Sequence, residues 1–442
     1  MPLHGPDSAV GLRNATVLTA SDLERQAGAL ASRMQTSSAL LCLCGDRFHI
    51  AVTLLAALHL DRPCVMPHDH SSETLRRLRA RYPGAAAVAD RSRAAELDAL
   101  AVDDPAAGNE PEAAAHAATF SGDRRAAHVF TSGSTGEPRV HEKPWAAMAG
   151  SGRDLARRFD IVPGTSVVAT VPGQHVFGLE ASLMLPLASG SALYAGQPLL
   201  PADIADALAR VPRPRILVST PLQLSRLLAS TIAVPEIDRI ISATAPLSTS
   251  LAQQLESRTG APVFEMYGST ETGVVATRRT VQTERWHAMD TVTVRPVNAG
   301  CRVVSRYLPT PVDLEDRIEP GPDDTFRLIG RGEDLVKIAG KRGSLADITA
   351  KLLAVAGVED AAVYAPPGDA NTVRRLVAFV VAPGVSADAI RSRLRERVDP
   401  AFLPRPIVHV EALPRGSTGK LPRAELQRLY ETWLAQRAEV SR

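Results

Sequence analysis

Between residues 126 and 270 the sequence alternates short β-branched runs with longer stretches that are apolar every three to four residues. The runs are AHVFT, SVVATV, RILVST, RIISAT and PVFEMY, and the stretches between them include AAMAGSGRDLARRF, PLQLSRLLAS and STSLAQQLESRTG. Strands joined by helices cannot pair as tight hairpins, so this segment predicts a parallel sheet covered by helices. Residues 20–100 repeat the alternation less clearly, and 101–123 (AVDDPAAGNEPEAAAHAATFSGD) read as a polar connector. After Trp286 the long helices stop, and TVTVRPV, CRVVSRYL and TFRLIGR predict a small β subdomain. Helices return at Leu345, where Ser344 followed three residues later by Asp347 marks a helix start. DAAVYAPP, RRLVAFVV, SADAIRSRLRERV, PIVHVEAL and PRAELQRLYETWLAQ then make a compact α+β unit. The 442 residues suffice for two or three such units, and the expected division is 1–331 and 332–442, with the boundary at 332–334.

Charge and apolar patterning exclude several classes. Fifty Lys and Arg against 48 Asp and Glu leave a net charge of +2, which carries no polyanion-binding signature, so nucleic acid is not an expected partner. The apolar stretch 51–60 contains Thr53 and His59 and falls short of the about 20 residues that span a bilayer, so no membrane span is expected. The opening MPLHGPDSAVGLRN lacks the basic-then-apolar order of a secretory leader, and the expected location is cytoplasmic. Cys42, Cys44, Cys64 and Cys301 show no C-x-x-C spacing; SALLCLCGD reads as a strand holding buried reduced thiols rather than a redox pair.

Four segments carry chemistry. Thr131-Ser-Gly-Ser-Thr-Gly-Glu-Pro138 follows the strand AHVFT. Its glycines let the backbone fold around an anion, and its amides and hydroxyls are donors to phosphate, although such a loop is more often a surface turn. It lacks the Gly-Lys-Ser/Thr ending of a Walker loop, as does GSTGKL near the C-terminus. Tyr267-Gly-Ser-Thr-Glu-Thr-Gly273 follows PVFEM, at a strand end where open α/β sheets bind ligands, and Glu271 there is a hard oxygen donor suited to Mg²⁺; a capped turn is the plainer reading. Gly330-Arg-Gly-Glu-Asp-Leu-Val-Lys-Ile-Ala-Gly-Lys-Arg342 and Leu413-Pro-Arg-Gly-Ser-Thr-Gly-Lys-Leu-Pro-Arg423 each read equally well as polar loops. The lysine count shifts that balance. Against 45 arginines there are five lysines, at 143, 337, 341, 351 and 420, and four of them fall in or beside these segments. A chain so biased toward Arg keeps Lys where a compact ammonium cannot be exchanged for a planar guanidinium.

In this order and spacing the four segments resemble the motifs of the adenylate-forming superfamily of acyl-CoA synthetases, peptide-synthetase adenylation domains and luciferases, and the likeness covers most of the chain. The resemblance implies an α/β fold. A large N-terminal domain of layered α/β sheets with a small β subdomain would bind ATP and a carboxylic acid, and a small mobile α+β C-terminal domain would carry the catalytic lysine. It implies a two-step ligase: the acid attacks the α-phosphate of ATP to give acyl-AMP and pyrophosphate, and the phosphopantetheine thiol of an acyl carrier protein or CoA then displaces AMP. Thr131, Ser132, Gly133, Ser134, Thr135 and Gly136 would hold the β- and γ-phosphates, Thr270 the α-phosphate, and Glu271 the Mg²⁺. Tyr267 would stack near adenine, with Gly268, Ser269 and Arg331 in the nucleotide site. Lys420 would bridge the carboxylate and the α-phosphate, where negative charge grows in the transition state. Glu333 would be the pivot of the domain rotation, and Lys337 and Gly340 would reach the site in the second half-reaction.

Two departures bear on the assignment. The phosphate loop continues Pro138-Arg139-Val140-His-Glu-Lys143 instead of Pro-Lys-Gly, so either Arg139 or Lys143 would meet the phosphates. In place of the usual Thr-Gly-Asp that holds the ribose stands Pro311-Val-Asp313-Leu-Glu-Asp316, making Asp313 the first candidate and Asp316 the second. For the acid, His175 and Phe177 in VPGQHVFGLE and Ser242, Ala243 and Thr244 in RIISATAPLS are the expected pocket walls. They offer no carboxylate for an α-ammonium, so a planar aryl acid or short acyl acid is expected rather than an amino acid. The continuation STGEPRVHEKPW is similar to that of the short ligases of aryl-polyene and xanthomonadin-type pigment pathways, which implies a hydroxybenzoate-like substrate and a carrier-protein acceptor. The alternatives are an aliphatic acyl-CoA or acyl-ACP synthetase and a non-catalytic nucleotide-binding relative. Arg391, Arg393, Arg395 and Arg397 could meet an acidic carrier, although a solvated charged face is the commoner meaning of such a run.

Overall fold

A computed structural model describes residues 5–67, 69–102, 120–131, 139–298, 300–331, 335–338, 341–366, 375–416 and 421–440. Two large sheets lie in layers. The first has six strands in the order Leu100–Val102, Ala86–Asp90, Leu40–Cys42, Cys64–Met66, Arg125–Thr131 and Arg139–Pro144. All neighbours in it are parallel except the last pair, where Thr131 stands opposite Arg139. The second has eleven strands. Its parallel centre runs through Ala9–Arg13, Ala192–Tyr194, Ser166–Ala169, Arg215–Ser219, Arg239–Ser242 and Val263–Ser269. Antiparallel strands flank that centre: Thr16–Thr19 at one edge, and Gly273–Arg279, Trp286–Ala288, Thr325–Arg331 and Asp316–Pro320 at the other.

The helix Arg47–Leu60 explains how the sheets join. Its N-terminus is capped by Asp46, whose carboxylate accepts from the Phe48 and His49 amides at 2.9 and 3.2 Å. It is largely apolar around its circumference because it is buried on every face, in one core that takes Leu40, Cys42, Cys64 and Val129 from the first sheet and Val10 and Leu193 from the second. The apolar run read from the sequence is therefore the packing element between layers, and among the described residues no helix is long and apolar enough to cross a membrane. All four cysteines are buried and unpaired by disulfide, as expected.

The five strands and three helices predicted between 126 and 270 all form. One expectation is corrected. TVTVRPV and CRVVSRYL do make a small separate sheet, as Val292–Val297 and Gly300–Ser305 with Val312–Leu314. TFRLIGR does not join it, because Phe326 buries its ring against Tyr267 and Trp286 and draws that strand onto the large sheet. Toward the C-terminus, the hairpin Leu335–Ile338 and Lys341–Ser344 precedes a three-stranded sheet of Asp360–Tyr364, Val377–Val381 and Ile407–His409. Its core gathers Val336, Ile338, Ile348, Leu352, Ala378, Val380, Ile390, Leu394 and Phe402. Ser344 caps the helix Leu345–Leu353 by accepting from the Asp347 amide at 3.2 Å.

Candidate active site

The segment after PVFEM is a tight turn between two antiparallel strands. Ser269 pairs with Gly273 across it, and Ser269 and Thr272 close it reciprocally, each side-chain hydroxyl accepting from the other's amide at 3.2 Å. Two glycines make the turn possible. A Cβ on Gly268 would lie 2.3 Å from the Gly273 carbonyl, and Gly273 has φ +70° with its Cα face against a carboxylate oxygen of Glu180. Glu271 projects from this turn beside the strand Arg139–Pro144: His141 Nε2 lies 3.7 Å from its carboxylate, and Lys143 Nζ donates to its carbonyl at 3.4 Å.

These groups line one cavity of about 820 Å³, with walls from Arg139, His141, Lys143, Ser151, Asp154, Glu180, Ser269, Glu271, Gly273, Tyr307 and residues 309–316. Burial dominates its electrostatics. It pulls the Lys143 ammonium below the ordinary lysine value against the attraction of Glu180 and Glu271, and pushes the Glu180 carboxyl up against Lys143, Ser151 and the Val274 amide. Burial also works to raise Glu271, but hydrogen bonds from its own amide and from Ser269, with the His141 and Lys143 charges, hold it below the usual glutamate range. Behind the wall Asp154 accepts from the Tyr307 and Thr291 hydroxyls at 2.9 and 2.8 Å, tying the helix Trp145–Arg158 to the small sheet.

Of the residues expected in the site, Lys143, Ser269, Glu271, Asp313 and Asp316 meet at this cavity. Thr270 lies in the same turn, half-buried. Asp313 is engaged elsewhere: on the small sheet it faces Arg302 and takes both guanidinium donors, at 2.6 and 2.7 Å. Asp316 instead begins a strand directly opposite Arg331. Tyr267 packs its ring tilted against Trp286 and edge-on to Phe326, with centroids 5.6 and 6.0 Å away. The expected acid-pocket residues form a second group outside this cavity lining. Phe177 and Ala243 share an apolar cluster with Met266 and Val274, and His175 stands at the N-terminal boundary of the short helix Val176–Gly178 beside them without a side-chain capping bond. Ser242 ends its strand with a buried hydroxyl that has no hydrogen-bond partner among the described residues, and Thr244 just beyond has φ +79°, a left-handed conformation rare for a β-branched residue. Ser132, Gly133, Ser134, Thr135, Gly136, Glu333, Gly340 and Lys420 lie outside the described residues, as do the side chains of Thr131, Arg331 and Lys337. The arginine run on the helix Ala387–Arg395 makes no continuous strip: residues two apart leave a helix on different faces, Arg391 pairs with Asp388, and Arg393 donates to the Ala356 carbonyl.

Sequence reasoning missed Glu180, Ser151 and Asp154. The signal available was an acidic residue inside the otherwise apolar VFGLEASLMLPL, a run too hydrophobic to present a solvent face.

Comparison with known proteins agrees with this architecture. Residues 9–312 match the family model for AMP-binding enzymes, and residues 347–420 match the model for the AMP-binding enzyme C-terminal domain. The 4-coumarate–CoA ligase of Rhodobacter capsulatus is 29% identical over 61% of this chain and 66% of its own length. The 3-hydroxybenzoate–CoA/4-hydroxybenzoate–CoA ligase of Thauera aromatica is 27% identical over 69% of this chain and 66% of its own length. The chain thus spans just under two thirds of each of these ligases. The crystal structure of ATP-bound MatB from Rhodopseudomonas palustris superimposes with a TM-score of 0.82 over 96% of both chains at 20% identity, which establishes the shared fold. The chain belongs to the AMP-binding enzyme family, within the adenylate-forming superfamily.

Proposed function

We propose that this protein activates a carboxylic acid with ATP and passes the acyl group to a phosphopantetheine thiol. The observation that carries the reading is the convergence of one ammonium, Lys143, and one ionised carboxylate, Glu271, on a cavity beside the strand that follows the Thr131 loop. That cavity suits a polyphosphate with a cation better than an uncharged ligand. In the first step a carboxylate oxygen of the acid bonds to the α-phosphorus, and the bond to the bridging oxygen breaks, so pyrophosphate leaves. In the second, the thiolate adds to the acyl carbon, the bond from that carbon to the bridging anhydride oxygen breaks, and AMP departs with that oxygen. The protein's part is positioning and charge neutralisation.

The residues divide accordingly. Thr131, Ser132, Gly133, Ser134, Thr135 and Gly136 hold the β- and γ-phosphates with Lys143, and Thr270 meets the α-phosphate. Mg²⁺ would be held by Glu271. Among the described residues no group of three or more His, Cys, Asp or Glu side chains could hold a metal alone, which fits an ion that takes one protein carboxylate and fills its shell with phosphate oxygens and water. Such an ion would neutralise phosphate charge. For the ribose, Asp316 is favoured over Asp313, because Asp316 shares a register position with Arg331 on the large sheet whereas Asp313 lies on the separate small sheet. Tyr267 supports the adenine side, and Lys420 bridges the acid and the α-phosphate. Glu333 serves as the pivot, with Lys337 and Gly340 entering for thioester formation.

An aryl acid is the favoured substrate class, with hydroxybenzoate its first candidate. The neutral, apolar Phe177 and Ala243 wall supports it, and so do the coumarate and hydroxybenzoate named for two relatives. CoA and an acyl carrier protein present the same thiol, and both stay in the proposal as acceptors. The test supplies ATP, Mg²⁺ and single acids (benzoates, cinnamates, short fatty acids and amino acids), then follows thioester formation with CoA or with phosphopantetheinylated carrier protein. Benzoates or cinnamates giving the fastest thioester supports the reading, and preference for fatty or amino acids would overturn the substrate class.

A further inference from the structure

We propose that Glu180 is a positioning residue for Lys143: it aims the Lys143 ammonium at the terminal phosphates of the nucleotide, and does so from the helix that also carries a wall of the acid pocket. The inference rests on the adenylation reading above and deepens it. Lys143 has three donors, is half-buried at the cavity wall, and makes one long hydrogen bond among the described residues, 3.4 Å to the Glu271 carbonyl. Glu180 is a buried carboxyl lining the same cavity wall, yet no Lys143–Glu180 ion pair closes within 4.0 Å among the described residues, so the ammonium is attracted without being consumed by a salt bridge. An ammonium held this way remains available to a ligand in the cavity.

Glu180 is itself rigidly placed. One carboxylate oxygen accepts from the Ser151 hydroxyl and the other from the Val274 amide, both at 3.0 Å. The Gly273 backbone packs so closely that a Cβ there would sit 2.5 Å from Glu180 Oε1. Glu180 lies in the π-helical segment Leu179–Met184, a local widening found often at functional sites, and Phe177 precedes it by three residues. One carboxylate therefore touches the nucleotide turn, faces the phosphate-side lysine, and belongs to the helix that walls the acid pocket. Nothing in its hydrogen bonding requires a charge: a glutamine could satisfy Val274 and Ser151. A negative charge at Glu180 would therefore act on Lys143 rather than on its own hydrogen-bond partners.

The test measures ATP·Mg²⁺ and AMP binding by calorimetry in the full chain. Lys143→Met is expected to weaken ATP about tenfold or more, with AMP changed less than about twofold. Glu180→Gln should lose the same preference for ATP over AMP, Glu180→Asp should recover part of it, and the Lys143→Met/Glu180→Gln double variant should be no worse than Lys143→Met alone. Retained AMP binding shows that each variant is folded. Equal weakening of ATP and AMP by Glu180→Gln, an unchanged ATP preference in either single variant, multiplying losses in the double variant, or no ATP binding by the wild type would each overturn the inference. Acid-dependent pyrophosphate release judges the adenylation reading separately. A protein that binds ATP as expected but activates no acid would sink that reading alone, and an active one with an unaltered ATP preference would sink this inference alone.

Discussion

The two polar regions at the strand ends hold their buried groups in different ways. In the cavity around Glu271 the buried groups are ionisable and answer one another: Glu180 and Glu271 both attract Lys143, and each carboxyl group is further held by amides or hydroxyls. Along the ends of the parallel strands Ser166–Ala169, Arg215–Ser219 and Arg239–Ser242 they are neutral, and the buried carboxylate opposite Ser242, Glu265, is paired with Arg278 at 2.6 Å. Thr170 and Ser219 share a 2.9 Å hydrogen bond, Ser242 stands next in register with an unpartnered hydroxyl, and Thr244 carries backbone strain. The difference teaches where each half of a mixed ligand belongs. Mutually compensated charge suits a polyphosphate, whereas a neutral rim with one unmet hydroxyl suits the weakly polar body of an acid.

Substitutions at each end should separate the two roles. The largest effect is expected for Glu271→Gln, which should slow acid-dependent pyrophosphate release by two to three orders of magnitude, the scale of about 3 to 4 kcal/mol typical of a preorganised charge, and shift its Mg²⁺ requirement upward while leaving the acid KM within a few-fold. Gly273→Ala comes next. A side chain there meets Glu180 Oε1 in a left-handed backbone, so the denaturation midpoint should show about 2 to 3 kcal/mol of lost stability. Ser242→Ala should do the opposite at the neutral end, keeping or raising stability by up to about 1 kcal/mol because an unsatisfied buried hydroxyl is removed, with a several-fold higher acid KM and an unchanged ATP KM. The smallest change is expected for Thr244→Gly. It relieves the positive φ at the cost of chain entropy, so stability should move by less than about 1 kcal/mol while the acid KM rises. A Ser242 or Thr244 variant that moved the ATP KM instead would dissolve the distinction between the two ends.

Much of this was legible in the sequence because local signals and global fold agree. β-branched runs such as RILVST and RIISAT became the buried central strands, and the Ser344–Asp347 cap formed with the expected hydrogen bond. What was not legible depends on contacts across the fold. TFRLIGR has the same local pattern as its neighbours, and only Phe326 packing on Trp286 assigns it to the large sheet. Asp313 and Asp316 differ little as sequence; the Arg302 and Arg331 register distinguishes them. Glu180 is a single acidic letter in an apolar helix, and its meaning comes from Ser151, Val274 and Lys143, which are distant in sequence.

The central claim is tested most directly by acid-dependent pyrophosphate release, with hydroxylamine as the trap for the activated acyl group, in wild type and Lys420→Ala. The account predicts release with at least one acid, accompanied by the matching hydroxamate, and a loss of several orders of magnitude in the variant. Binding of ATP without release for any acid, or release that Lys420→Ala leaves intact, would contradict it.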